Sequence, residues 1–366
     1  MKTIKVNLKK RSYDIIVGSG TINLLGKHIR KLNIGSDAYI ITNPLIKNKY
    51  SGLLNKVLKK SGFSLRYKLV PDSEKSKSIE MAAAVIKDIA SYDKKKQLFI
   101  IALGGGVIGD LAGFVASIYK RGIPYIQLPT TLLAQVDSSI GGKTAVDLME
   151  GKNLVGAFYQ PKLVLIDINV LKTLSLRQVR AAFAEIIKYG AIKDRDLFTY
   201  LEKNYKDILK VNLKKLEFIV SRCVNIKSKV IQLDEREEKG IRTILNFGHT
   251  IAHALEAAGG FKKYNHGEAV ALGMLVACGI SKKLRLTNDE TAQRLERLIA
   301  VMGLPTKIKR IPMAGIIKAH YHDKKFTGSK NRLVLIKNIG ETVIIKNIPL
   351  EIIRESLAER ISSSTC

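Results

Sequence analysis

The sequence predicts an α/β N-terminal domain with a Rossmann-like, mostly parallel sheet, followed by a mainly α-helical C-terminal domain. Short β-rich runs alternate with helical patterns through the first half of the chain, which is the order typical of βαβ units. After "PKLVLIDINVLKTL" (161–174) helical runs prevail, with one later strand-like pair at 331–347. A length of 366 residues also favours two domains over one. We expect a boundary at Leu171, giving domains 1–171 and 172–366.

The elements follow from the local patterns. Residues 1–20 alternate apolar and polar side chains like an edge strand. Three further runs in the first half, "AYIITN", "LRYKLV" and "LFIIAL", have the composition of strands, and each precedes a helical pattern. In the second half, "LRQVRAAFAEIIKYGAI" and "LKKLEFIVSRCVNIKSKVIQLDE" have helical periodicity. The apolar run 98–119 approaches membrane-spanning length, but Asp110 and a glycine cluster interrupt it, so it predicts a buried strand and helix.

The formal net charge of +30 raises the question of nucleic-acid binding, because dense Lys and Arg gain affinity by releasing counterions from phosphates. The lysines are spread along the whole chain, without the aromatic interleaving of single-strand binders. We therefore expect no nucleic-acid partner and a positive field that attracts small anionic substrates. Three cysteines without metal-type spacing and the lack of a signal-peptide pattern fit a cytoplasmic protein.

Gly104, Gly106 and Gly109 form a G-x-G-x-x-G pattern directly after a predicted strand and at the start of a helix. Such a turn lets backbone amides approach a pyrophosphate. The alternative is a tight strand-to-helix turn without a ligand. No acidic residue follows about twenty residues later to hold an adenosine ribose, so "ITN" (41–43) and "PDSEKSK" (71–77) are the candidates for that contact.

His249, His253 and Glu256 fall on one face of a predicted helix. They could form a polar seam between helices. His266 in "NHGEAV" and Glu185 in the apolar stretch "AFAEIIKYG" favour a metal site instead, since a buried carboxylate needs a partner and three N or O ligands with an open position suit catalytic zinc. Spacing alone does not choose the third ligand.

The segment 134–162, "AQVDSSIGGKTAVDLMEGKNLVGAFYQPK", is dense in polar and charged residues. It could be a solvated loop, but such a cluster between apolar strands more often lines a cleft. Asp137, Lys143, Lys152 and Asn153 could grip hydroxyls and phosphate.

These patterns resemble the 3-dehydroquinate synthase family over essentially the full chain. The resemblance rests on "ALGGGVIGDLAGFVAS", "RGIPYIQLPTTLLAQVDSSIGGKTAVD", "GKNLVGAFYQPKLVLID", "FAEIIKYG", "LNFGHTIAHALE" and "HGEAVALGM". It implies an NAD-binding α/β domain, a helical domain, a homodimer, and a divalent metal, commonly zinc, with cobalt as the alternative.

The resemblance also implies the site residues. For the metal they are Glu185, His249 and His266, and Glu256 is implied to be structural or to support a ligand. Those implied for NAD are Asp72, Ser73, Glu74, Lys75, Ser76, Lys77, Gly106, Val107, Ile108, Gly109, Asp110, Thr130, Thr131, Lys143, Lys152, Val170, Leu171, Lys172 and Thr173. For the substrate, the resemblance implies Asp137 and Lys188 near the reacting hydroxyls, and Lys227 and Arg242 for its carboxylate. For its phosphate it implies Asn153, Asn246, His253, a lysine of "DKK" (Lys325, with Lys324 as the alternative) and, from the neighbouring subunit, Arg121, with Lys143 nearby.

A few positions depart from the family pattern. Asn43 stands where an acidic residue is common, Ala252 replaces a glycine, and Asp147 replaces a common asparagine. "DEREEKGIR" (234–242) is one residue longer than usual, which affects the register of Lys227.

The implied activity is that of a carbon–oxygen lyase of the shikimate pathway. It converts 3-deoxy-D-arabino-heptulosonate 7-phosphate to 3-dehydroquinate and phosphate, with transient NAD-dependent oxidation, phosphate elimination, re-reduction and intramolecular aldol closure. The alternatives are another sugar-phosphate cyclase, such as 2-deoxy-scyllo-inosose synthase, whose substrate has no carboxylate, or a metal-dependent polyol dehydrogenase on a glycerol-dehydrogenase-like fold. Lys227 and Arg242 favour the first activity, because two buried cations without an anion would be costly.

Overall fold

The computed structural model describes residues 1–93, 96–321 and 331–362. The chain divides into two compact units. The first consists of Met1–Leu174 and Leu213–Arg236, and the second consists of Ser175–Asn212 and Glu237–Cys366.

The first unit is built on a seven-stranded sheet with the order β1-β2-β9-β6-β5-β3-β4. Every pair in it is parallel except β1 with β2, so the α/β prediction is confirmed. Its strands are β1 (Lys2–Val6), β2 (Tyr13–Gly18), β3 (Asp37–Thr42), β4 (Ser64–Leu69), β5 (Leu98–Gly104), β6 (Tyr125–Pro129) and β9 (Leu163–Asp167), and a separate hairpin is formed by β7 (Lys143–Leu148) and β8 (Gly151–Phe158). Its helices are α1 (Leu25–Leu32), α2 (Pro44–Lys60), α3 (Ile79–Tyr92), α4 (Gly106–Ile118) and α7 (Leu213–Leu233).

The central strands are apolar on both faces, as expected where helices cover both sides of a parallel sheet. Strands β3, β5 and β9 are buried along their whole length. The helix that follows β3 starts at a polar cap: the Asn43 side chain accepts a hydrogen bond from Ile46 N–H at 2.8 Å, which satisfies one of the free amides of α2. The uncommon residue at position 43 therefore has a structural role at the end of a central strand.

The polar segment 134–162 is more regular than a solvated loop. Residues Ala134–Ser138 form a π-helical turn, and β7 and β8 pair antiparallel. The turn and hairpin fix the positions of the polar side chains that the sequence placed in this segment.

Helix α7 belongs to the first unit, although it lies after the expected boundary at Leu171. The first unit extends to Leu174 and regains Leu213–Arg236, because α7 packs on β1, β2 and the π-helical turn. The buried face of α7 includes Ile219, Val220 and Val224. The order of elements along the chain does not show which unit this face packs against.

The second unit is mainly helical, as predicted, with one two-stranded sheet. Its elements are α5 (Leu176–Lys193), α6 (Arg195–Leu209), α8 (His249–Ala258), α9 (His266–Lys283), α10 (Asp289–Val301), α11 (Met313–Tyr321), β10 (Arg332–Asn338), β11 (Glu341–Lys346) and α12 (Leu350–Ala358). Helix α9 is buried along most of its length and contacts α5, α8, α10 and α12. Capping boxes start α5 at Ser175 and α9 at Asn265. Among the helices in the described ranges, none has both the length and the hydropathy needed to span a membrane.

Candidate functional site

Glu185, His249 and His266 converge in the second unit. Glu185 Oε1 lies 3.2 Å from His249 Nε2 and 3.2 Å from His266 Nε2. The three ligand atoms all lie within 4.8 Å of one another. The Glu185 side chain is completely buried, whereas 37% of the His266 side chain is exposed, so the cluster is closed behind the carboxylate and open beside His266.

Helix packing places these three residues together. His249 and His266 are the first residues of α8 and α9, and Glu185 lies in the buried part of α5. A Cβ on Gly267 would collide with the Ala181 backbone carbonyl, so glycine permits the close approach of α9 to α5. Gly248 precedes α8 with φ +79°, a left-handed conformation that favours glycine. The two glycines therefore help to position the N-termini of α8 and α9, which carry His249 and His266.

The donor set fits a divalent ion. Ligand atoms about 2 Å from a tetrahedral ion lie about 3.3 Å from one another, which agrees with the two 3.2 Å separations. One carboxylate and two imidazoles leave a fourth position for a water or substrate oxygen. The predicted partnership of Glu185, His249 and His266 is the one the structure brings together.

The Lys188 ammonium group and the Glu256 carboxylate lie next to the three ligand residues. Lys188 forms an ion pair with Glu185 Oε2, with only 2% of its side chain exposed. The other ring nitrogen of His266 lies 3.7 Å from Glu256 Oε1, and His249 Nδ1 lies 3.2 Å from the Phe247 carbonyl. These contacts orient both imidazoles with Nε2 toward the shared carboxylate.

Charge and burial oppose each other within this cluster. Burial alone would raise the pKa of Glu185, but Lys188 and His249 hold it well below its ordinary value. Burial lowers the pKa of His249 to about 4, so that ring is neutral near pH 7. Burial would also lower the pKa of His266, but the carboxylates of Glu185 and Glu256 raise it to about 10, so this ring carries a proton that a bound metal ion would displace. Glu185 is therefore ionised and His249 is in the protonation state that a metal requires.

Three other predicted substrate residues lie in the second unit. The His253 ring is 5.8 Å from the His249 ring in an edge-to-face arrangement, and its side chain is exposed. Arg242 and Asn246 belong to the 3-10 helix Ile241–Asn246 that precedes α8. Arg242 is 3% exposed and its Nε lies 3.5 Å from Glu237 Oε1. Lys325, and Lys324 beside it, lie outside the described residues.

The glycine turn of the first unit has the context that the sequence predicted. Strand β5 ends at Gly104 and α4 begins at Gly106. A Cβ on Gly109 would lie 2.9 Å from Gln127 Oε1, too close for any other residue without a shift. The first amides of α4 have no helical acceptor, so the turn has the geometry for binding an anion.

A buried ion pair closes the first turn of α4. Lys77 Nζ lies 2.6 Å from Asp110 Oδ2, and 7% of the lysine side chain is exposed. Burial raises the pKa of Asp110 to about 6, although Lys77 acts in the opposite direction. Asp72, Ser73, Glu74 and Lys75 are exposed beside this pair, in the segment that ends at Ser76 and Lys77.

Two further groups of residues predicted to bind NAD follow strands of the same sheet. Thr130 and Thr131 follow β6, and the buried Thr130 hydroxyl has no hydrogen-bond partner among the residues that the structure describes. Val170–Thr173 belong to a 3-10 helix after β9, where the Tyr50 hydroxyl contacts the Val170 carbonyl at 3.3 Å. Carboxyl ends of parallel strands are where open α/β sheets bind ligands.

Lys227 and Asp137 pair with each other in the first unit. Lys227 Nζ, on α7, lies 2.7 Å from Asp137 Oδ1 and donates to the Asp137 carbonyl at 2.9 Å. The longer "DEREEKGIR" segment follows α7, so it does not move Lys227 out of this position. The sequence had placed the two residues on different parts of the substrate and missed their contact.

The other predicted positions are more exposed. Lys143 begins β7 and is exposed, Lys152 Nζ lies 3.5 Å from Glu74 Oε1, and Arg121 is exposed with φ +64° after α4. Asn153, also exposed, has φ +56° and accepts a hydrogen bond from Lys77 Nζ. Of the ion pairs that sequence reasoning missed, the pair of Glu185 and Lys188 could have been found from spacing, because residues three apart on a helix are neighbours.

The fold and the site together define a class of enzyme: a chain that combines a parallel, glycine-turn α/β sheet with a helical unit holding a carboxylate–histidine site for a divalent ion. Two family models narrow the class. The model described as 3-dehydroquinate synthase N-terminal matches residues 67–181, and the one described as 3-dehydroquinate synthase C-terminal matches residues 182–326. The chain belongs to the 3-dehydroquinate synthase family.

Individual relatives agree with this assignment. A 3-dehydroquinate synthase of Thermoanaerobacter sp. (strain X514) is 46% identical over 354 residues, covering 97% of this chain and 99% of the relative. Two solved structures are also similar. A 2-deoxy-scyllo-inosose synthase with carbaglucose-6-phosphate, NAD+ and Co2+ has a TM-score of 0.87 and 25% identity, covering 98% of this chain and all of the other. A 2-epi-5-epi-valiolone synthase of Streptomyces hygroscopicus subsp. jinggangensis 5008, with NAD+ and Zn2+, has a TM-score of 0.87 and 26% identity, covering 97% and 99%.

Proposed function

We propose that this chain converts 3-deoxy-D-arabino-heptulosonate 7-phosphate to 3-dehydroquinate and inorganic phosphate. Membership of the 3-dehydroquinate synthase family supports the reaction. The observation that carries the proposal is the convergence of Glu185, His249 and His266 into an open ligand set, because vicinal hydroxyls of a sugar acid can complete the coordination of an ion held there.

NAD and zinc, or cobalt, are the cofactors in this proposal. The solved cyclases similar to this chain contain NAD+ with Co2+ or Zn2+. Gly106–Asp110 and the segment Asp72–Lys77 would hold the nucleotide, and the helical cluster would hold the ion. Bound NAD+ supplies the transient oxidation, and the ion supplies a Lewis acid for the substrate oxygens.

In this proposal, residues of the chain bind the substrate and keep the metal ligands in place. Lys188 keeps Glu185 ionised by a buried ion pair, so the carboxylate stays available as a ligand. Arg242, which is buried with a planar donor set, suits the substrate carboxylate. His253 and Asn246 would contact the phosphate, as the family resemblance implies for both.

Elimination of phosphate needs a proton acceptor beside the substrate. The substrate's own phosphate can accept that proton when it is held against the ring, so no side chain has to act as a strong base. The exposed position of His253 supports a phosphate-orienting role over a buried basic one. The elimination would break the carbon–oxygen bond to phosphate, and NAD would be regenerated in each turnover, so the proposed class is a carbon–oxygen lyase.

The assembly and location belong to the same proposal. A homodimer would bring Arg121 to the phosphate site of the neighbouring subunit, and the exposed position of Arg121 allows that contact. A cytoplasmic location is part of the proposal, supported by three cysteines that lack the spacing of a disulfide framework.

The test is incubation of the purified chain with the heptulosonate phosphate, zinc and a catalytic amount of NAD+. Phosphate release and product formation without net NADH are the expected result. Accumulation of NADH without phosphate release would reject the cyclase and favour a polyol dehydrogenase. A hexose phosphate without a carboxylate is the control substrate, and faster turnover of that compound would favour the 2-deoxy-scyllo-inosose type of cyclase.

A further inference from the structure

Asp147 lies opposite an irregularity in the β7–β8 hairpin. Leu148 pairs with Gly151 and Val146 pairs with Val155. One residue of β7, Asp147, therefore faces three residues of β8, 152–154. Such bulges re-aim side chains and recur beside functional sites.

The Asp147 side chain holds the bulged strand. Its Oδ1 accepts a hydrogen bond from Asn153 N–H at 2.8 Å. Asn153 has φ +56°, a left-handed conformation that costs free energy for a residue with a side chain, although asparagine tolerates it better than most. The hydrogen bond stabilises the backbone conformation in which the Asn153 side chain accepts from Lys77 Nζ.

The Asp147 backbone holds a second segment. Its N–H donates to the Lys77 carbonyl at 2.7 Å, next to a parallel bridge between Ser78 and Asp147. Lys77 Nζ in turn donates to Asn153 Oδ1 and pairs with Asp110. Asp147, Asn153 and Lys77 thus form a closed ring of contacts in which each fixes the other two.

We propose that Asp147 is a positioning residue that sets the spacing between the cofactor-binding segment ending at Lys77 and the phosphate-binding Asn153. The proposal rests on the proposed function for the roles of Lys77 and Asn153. Asp147 acts through those two residues and need not touch either ligand. An amide oxygen can accept the same N–H, so the proposal requires an acceptor at position 147 and not a charge.

The test uses Asp147→Ala and Asp147→Asn in the full chain. Loss of the acceptor should raise the KM for the heptulosonate phosphate and the NAD+ dissociation constant by about 3- to 10-fold, the range of one net hydrogen bond. The value of kcat should change less. Asp147→Asn should restore both constants to within about 2-fold of the parent. Glu150→Ala, which removes an exposed carboxylate from the same hairpin, is the matched control.

A double-mutant cycle separates positioning from general destabilisation. If Asp147 acts through Asn153 and Lys77, the effect of Asp147→Ala on KM should be smaller in an Asn153→Ala background than in the parent. An undiminished effect in that background would overturn the proposal, as would unchanged constants in Asp147→Ala or equal damage by Asp147→Asn. NAD+ binding is measured by calorimetry without substrate, so the result is readable even if the parent chain fails to release phosphate.

Discussion

Lys188 and Glu185 form a buried ion pair one helical turn apart on α5, and the same carboxylate faces His249 and His266 through its other oxygen. The carboxylate is therefore shared between Lys188 and the candidate position for a divalent ion. Removing a charged partner from a buried pair costs far more than the pair itself contributes, because the remaining charge is left without compensation.

Lys188→Met should destabilise the metal-free protein by up to about 3–5 kcal/mol, since it removes the ammonium group beside the buried Glu185 carboxylate and leaves only the two histidines to compensate that charge. Added zinc should recover part of this loss, because the ion then neutralises the carboxylate. Thermal and denaturant unfolding with and without zinc measure both effects. Lys193→Met, an exposed lysine of the same helix, should change stability by less than about 0.5 kcal/mol. Equal stability of the two variants would show that Glu185 does not depend on Lys188.

Glu256→Gln should weaken zinc binding by about 10- to 100-fold, the usual effect of losing a group that orients a ligating histidine. Glu256 is buried and its carboxylate lies 3.7 Å from His266 Nδ1. Competition with a chelating dye measures the zinc dissociation constant directly. Glu290→Gln, at an exposed site on α10, serves as the control, and an unchanged dissociation constant in Glu256→Gln would assign Glu256 a purely structural role.

The sequence predicted the sheet, the glycine turn and the helical second half because these depend on local signals. Strands such as "LFIIAL" are apolar along their whole length, and the helices carry their own caps. The place of α7 could not be read in this way. Its apolar face identifies a helix, but which sheet it covers depends on contacts distant in the chain.

For the candidate site, the sequence likewise named the ligand residues but not the contacts between distant parts of the chain. The resemblance named Glu185, His249 and His266, and the structure brings them together. Pairings such as Lys227 with Asp137 or Lys77 with Asp110 join residues far apart in sequence. Spacing carries no signal for such pairs, since the partner is set by the packing of two elements and not by the period of either one.

His249→Ala and His253→Ala should have different effects on zinc binding and on activity. His249 Nε2 faces the buried carboxylate, whereas the His253 side chain is exposed and no part of that ligand set. We expect His249→Ala to lose zinc and nearly all activity, and His253→Ala to retain zinc with a smaller loss in rate. Zinc content and steady-state rates at saturating zinc check this. A loss in His253→Ala as large as in His249→Ala, with metal still bound, would mean that His253 is the essential base.

The pH dependence of stability should reveal the ionisation of Asp110, whose folded-state pKa of about 6 exceeds its ordinary value of 3.8. A carboxyl group with a raised pKa is favoured in its protonated form by folding, so its contribution is fully present below pH 3.8 and is lost as the pH rises through about 6. The stability difference between the parent and Asp110→Asn should therefore shift against the parent by about 1–3 kcal/mol across this window. Denaturant unfolding of both proteins at half-unit steps from pH 4 to pH 7 measures that difference. A shift in favour of the parent as pH rises would instead show that attraction to Lys77 outweighs the burial of the carboxylate, and the ion pair would then be the stabilising element at the first turn of α4.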